Sequence, residues 1–114
     1  MGFIGNIIEL IKGAIRFIKN LIVKVITGFF NFLAHCVQWF KELRLDKKKD
    51  VPFVAKADEF RDMLKKAPTK NVGIFEGVYD EELDEITHSQ IIDADGLDAK
   101  TREILADEPL VVLS

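Results

Sequence analysis

The spacing of apolar residues over the first forty-three positions constrains this chain more than any other feature. Placed at about 100° per residue, the helical increment, residues 3–43 sort into two faces. Glu9, Arg16, Asn20, Thr27, Asn31 and Gln38 fall in one narrow arc, which Asn6, Lys12, Lys24, His35 and Lys41 widen. Ile4, Ile7, Leu10, Ile11, Ile18, Leu21, Ile22, Val25, Phe29, Phe32, Leu33, Cys36, Phe40 and Leu43 cover the opposite side, and only Val23 and Phe30 break the pattern. The phase runs from Asn6 to Glu42 without a slip, and no Pro interrupts it. A 3.6-residue repeat held that long predicts one nearly straight amphipathic helix over residues 1–44, about 60 Å long at ~1.5 Å per residue.

A helix with so wide an apolar face needs a cover. The rest of the chain, as a domain with a radius of gyration of about 10–11 Å, would cover only about half of it. Lipid, copies of the chain or another protein must do the rest. In one reading the helix lies in the membrane interface. In a second, residues 21–40 span the bilayer as a transmembrane segment, with Trp39 at one boundary. Ile7, Ile11, Ile18, Ile22, Phe29, Phe32, Trp39 and Phe40 would then contact lipid. Arg44, Lys47, Lys48 and Lys49 would meet anionic headgroups, at about 1 kcal/mol per basic residue near the surface. Asn20, Thr27, Asn31, His35 and Gln38 would form a polar stripe that meets other copies, giving a homo-oligomer. The positive flank would place the C-terminal domain in the cytoplasm. The alternative is a soluble structural subunit of a helical or filamentous assembly, its long helix buried by neighbouring copies.

The opening segment MGFIGNIIELIKGAIRFIKNLI resembles the staphylococcal phenol-soluble modulins, short cytolytic peptides with Gly-Ile-Ile-then-Lys repeats. The resemblance covers about a fifth of the chain, and Glu9 stands where those peptides lead one to expect Lys. It implies membrane perturbation. Cleavage and lipidation are not expected. Asn6 replaces the Ser or Thr of a myristoylation site, and His35 is too large for the position before a lipoprotein cysteine.

Charge divides the chain. Residues 1–50 carry a net +5 and residues 51–114 a net −8, giving −3 overall. A basic linker is expected at 45–50 and an acidic small α+β domain at 51–114, the latter docking an unknown protein partner or controlling assembly. Clustered acidic charge disfavours nucleic acid. Within that domain the pattern predicts the order α-β-β-α-β with a three-stranded sheet. A helix carries Phe60, Met63 and Leu64 inward, a hairpin joins residues 71–79 to 85–93, a helix is capped by Asp98, and a strand ends the chain.

No chemistry stands out. Aligning Gly96 to the glycine of a calcium loop puts Ile91 first and Arg102 twelfth, neither of which fits. His35, Cys36 and His88 do not supply a zinc set, and adjacent helical residues such as His35 and Cys36 do not face each other as base and nucleophile. Neither a phosphate loop nor a serine nucleophile elbow occurs. A non-enzymatic protein with no cofactor and no metal site is expected.

Overall fold

The computed structural model of the chain describes residues 3–18, 21–64 and 72–113. Its centre is a five-stranded mixed sheet. In chain order the elements are α1 (Phe3–Ile15), β1 (Ile22–Val25), β2 (Phe29–Phe30), a π-helical turn (Phe32–Val37) running into α2 (Gln38–Leu43), and β3 (Asp50–Lys56). A 3-10 turn (Ala57–Phe60) leads into α3 (Arg61–Leu64), followed by β4 (Val72–Asp80), β5 (Glu85–Ala94), β6 (Gly96–Leu97), α4 (Ala99–Ile104) and β7 (Leu110–Val112). The sheet order is β1-β5-β4-β3-β7, and β2 and β6 form a separate parallel pair. Among the described strands of the main sheet, only β1 and β5 pair in parallel.

Both faces of the sheet are covered, which is why β4 is buried along nearly its whole length. Alternate residues point to opposite faces. Phe53, Ala55, Phe75, Tyr79 and Ile91 face one layer, where Ile11, Ala14 and Ile15 of α1 pack with Ala57, Phe60 and Leu64. Val54, Ile74, Val78, Ile92 and Ala94 face the other, against Phe30, Phe32, Cys36, Phe40 and Leu105. Phe53 meets Phe75 edge-on at 5.4 Å between centroids. Its ring also lies over Gly77, where a Cβ would come within 2.7 Å of Phe53 Cζ.

The single long helix is therefore a correction: α1 ends at Ile15, and the same apolar stretch continues as β1, β2, the π turn and α2. Two local causes and one global cause explain the break. Ile22, Val23, Val25, Ile26 and Thr27 are β-branched and lose side-chain freedom in a helix while fitting a pleated strand. Gly28 adopts φ +91°, a conformation that L side chains rarely take. There the chain turns, with Gly28 N–H donating to Asp95 Oδ2 at 2.8 Å and Gly28 C=O accepting from Asp95 N–H at 2.8 Å. Globally, breaking the stretch lets α1 cover one face of the sheet and α2 the other, which one straight rod cannot do. Part of the apolar surface of the stretch, including Ile11, Ile15, Phe30, Phe32, Cys36 and Phe40, packs on the chain's own sheet.

The three-stranded sheet is the second correction. β3 and β1 were hidden, one by Pro52 and the charge run before it, the other by the helical phase. Pro52 is tolerated because its backbone groups face β7 and not β4: its carbonyl accepts from Leu113 N–H at 2.8 Å, and its missing N–H falls just beyond the Phe53–Ala55 pairing, so the ladder with β4 loses no donor. Transmembrane and long amphipathic helix are corrected with the fold: among the described residues, no helix is long and apolar enough to cross a bilayer.

Candidate functional site

The residues expected to meet lipid do not share one surface. Ile11, Phe32 and Phe40 are buried in the two cores, Ile7, Ile18 and Trp39 are half-buried, and Ile22 and Phe29 are exposed at 59% and 63%. Of the basic flank, Arg44, Lys47 and Lys48 are exposed. Lys49 is half-buried and pairs with Asp80 at 3.5 Å. That carboxylate raises the Lys49 pKa. The polar stripe is dispersed as well. Asn20 lies outside the described residues. Thr27 and Gln38 are exposed, and Asn31 caps the π turn by accepting from Ala34 N–H at 2.9 Å. His35 Nδ1 accepts from Asn31 N–H at 2.9 Å, which leaves the proton of neutral His35 on Nε2.

Two features come together at β1 that the sequence pattern did not indicate. The first is a buried polar cluster on the α2 side of the sheet. Glu76 on β4 is fully buried and accepts from Gln90 Nε2 on β5 at 2.5 Å, while its Oε2 has no hydrogen-bond partner. The Cys36 thiol, a weak donor, lies beside the carboxyl. Burial pushes the Glu76 pKa up to about 7, against the opposing pull of Gln90, Cys36 and the Lys24 cation. Burial, then the neighbouring Glu76, pushes the Cys36 thiol far up, which favours its protonated form. Over this cluster a small cavity of about 240 Å³ opens between Lys24, His35, Trp39, Glu42, Gln90 and Ile92. No group of three or more potential metal ligands occurs among the described residues.

The second feature is the strand itself. β1 pairs with β5 on one side and, among the described residues, with nothing on the other. Ile26 N–H donates inward to Asp93 C=O at 2.9 Å. Alternation along the strand then directs the backbone groups of Val23 and Val25 outward. Around this edge Val25 is 74% exposed and Ile22 59%. The edge therefore presents both unpaired backbone and apolar side chains, the combination that templates strand addition. At period 3.6 Ile22 and Val25 fall on the apolar face of a helix, Ile22 among the residues expected to meet lipid. A period-insensitive signal, the β-branched run from Ile22 to Thr27, would have identified a strand.

Comparison with protein-family models, curated proteins and solved structures returned no match.

Proposed function

We propose that this protein is a non-enzymatic interaction module that takes up an extended, apolar protein segment along the β1 edge. The observation that supports the reading is the open edge of Ile22–Val25 with Ile22 and Val25 exposed beside it. A partner strand would pair with the outward groups of Val23 and Val25 and cover those two side chains. Lipid is a poor cover for this edge, because each unpaired N–H or C=O costs several kcal/mol in hydrocarbon. The chemistry nearby supports binding rather than turnover: burial favours the protonated thiol, and the carboxyl beside it is sealed from solvent.

The test is a titration of dilute, isotope-labelled full-length protein with a capped synthetic peptide of residues 21–26, followed by amide NMR. Shifts are expected at Val23, Val25 and their β5 neighbours Ile91 and Asp93. A second surface is available for comparison, the groove of about 480 Å³ between Ala14, Phe17 and Ile18 of the α1 region and Glu85–Thr87 of β5. Shifts confined to that groove, or no shifts at saturating peptide, would sink the proposal.

A further inference from the structure

We infer that the strand seated on β1 is β1 of a second copy, paired antiparallel about a two-fold axis through Val23. This rests on the edge-binding reading above and names the occupant.

The register follows from hydrogen-bond parity and charge. Antiparallel partners must match, outward-facing residue against outward-facing residue. A symmetric pairing is therefore centred on a residue and not between two. Centring on Lys24 places Lys24 directly against its own copy. That pair is of the non-hydrogen-bonded kind, with Cα atoms only about 4.5 Å apart, and like charges there are destabilising. Centring on Ile22 leaves Val25, the more exposed of the two apolar residues, beyond the pairing. Centring on Val25, the last residue of the strand, sets Ile22 against Gly28, whose N–H and C=O are both engaged by Asp95, and leaves Ile22 uncovered. Centring on Val23 avoids all three faults. Val23 exchanges two N–H···O bonds with its own copy, and Ile22 stands opposite Lys24. The aliphatic stem of Lys24 then covers the Ile22 of the other copy while its ammonium stays in water.

The strand is thus self-complementary in one register, as an isologous dimer contact requires. Two five-stranded sheets become one continuous sheet with β7 at both rims, and the exposed edge is removed from both copies at once.

Sedimentation equilibrium of the full chain is expected to show a concentration-dependent dimer of the 13.0 kDa subunit. Ile22 and Lys24 are exposed, so charge changes there leave the cores intact. Ile22→Lys sets a second ammonium against Lys24 of the other copy and should weaken the dimer at least about tenfold at low salt. Adding Lys24→Glu to that variant should restore it, since the introduced lysine then faces the introduced glutamate across the pairing. In a Lys24-centred register the same addition sets carboxylate against carboxylate and gives no rescue. A protein that stays monomeric at its highest soluble concentration, or a dimer indifferent to Ile22→Lys, overturns the inference. A monomer that still binds the residue 21–26 peptide at β1 removes the second copy and keeps the module. A monomer that binds nothing there removes both.

Discussion

Glu76 sits where a carboxylate is least at home, on the central strand β4 with no exposed surface and one oxygen without a hydrogen-bond partner. Its pKa of about 7 against an ordinary 4.5 makes it a pH-dependent cost to the fold. The neutral form is favoured in the native state. The contribution to stability is full below about pH 4.5, declines as pH rises toward 7, and is lost above it. A shift of this size corresponds to roughly 3 kcal/mol. Gln at this position keeps an acceptor for Gln90 and carries no charge. Glu76→Gln is expected to unfold at higher urea concentration than the parent at pH 8 to 9, by up to about 3 kcal/mol, with the advantage gone near pH 4.5. Urea titrations across that range test it; an advantage independent of pH would mean that the carboxyl is not the source.

Asp98 acts one scale up, because it ties two elements together. One oxygen caps α4, accepting from Thr101 N–H at 3.0 Å and from the Thr101 hydroxyl. The other accepts from Phe32 N–H at 2.9 Å, at the start of the π turn. Burial works to raise its pKa, but the Thr101 hydroxyl and the Phe32 and Thr101 amides outweigh it, and the pKa is lowered. Its contribution is therefore present above the ordinary aspartate range and is lost as pH falls through the depressed value. Asp98→Ala removes the cap and leaves Phe32 N–H without its acceptor, for an expected loss of about 2 kcal/mol at pH 7. Denaturant unfolding at pH 7 and in acid checks both magnitude and sign, since the difference from the parent should shrink in acid. This cap was legible in the sequence because capping is local: Asp98 precedes a short apolar-faced helix, and Pro109 follows it. The β4–β5 hairpin was legible for the same reason, with the acidic turn between two β-rich runs. What bridges Asp98 to Phe32 was not, since that bond joins residues 66 positions apart. Nor was the fate of Ile22–Val25. Their helical phase and their β-branched composition disagreed, and the sheet edge offered by β5 settled the matter in favour of a strand. The Glu76–Cys36–Gln90 cluster joins a helical turn to two strands, and nothing in its sequence spacing announces it.

For the whole molecule, the acidic stretch depends on the basic one for more than company. Residues 45–114 alone would keep β3, β4, β5 and β7, with Phe60 and Leu64 on one face and Leu105 on the other, but lose α1, the π turn and α2 from the covers of both faces. On one side Ile11, Ala14 and Ile15 no longer shield Phe75 and Ile91. On the other Phe30, Phe32, Cys36 and Phe40 leave Ile74, Val78 and Ile92 bare, and Glu76 becomes reachable by water. β5 also loses β1 and becomes an open edge. A sheet with both faces stripped over its centre is an aggregation hazard, not a folded domain. The fragment 45–114 is therefore expected to be expanded or aggregated, with poor amide dispersion in NMR and enhanced binding of a hydrophobic dye. Adding a separate peptide of residues 1–44 should recover dispersion if the covers act mainly through apolar burial, because most of the lost area lies between these two pieces. A fragment that shows a dispersed spectrum and cooperative unfolding by itself would overturn this reading. It would mean that α1 and α2 decorate a sheet able to stand without them, and that the apolar N-terminal stretch is free for another use.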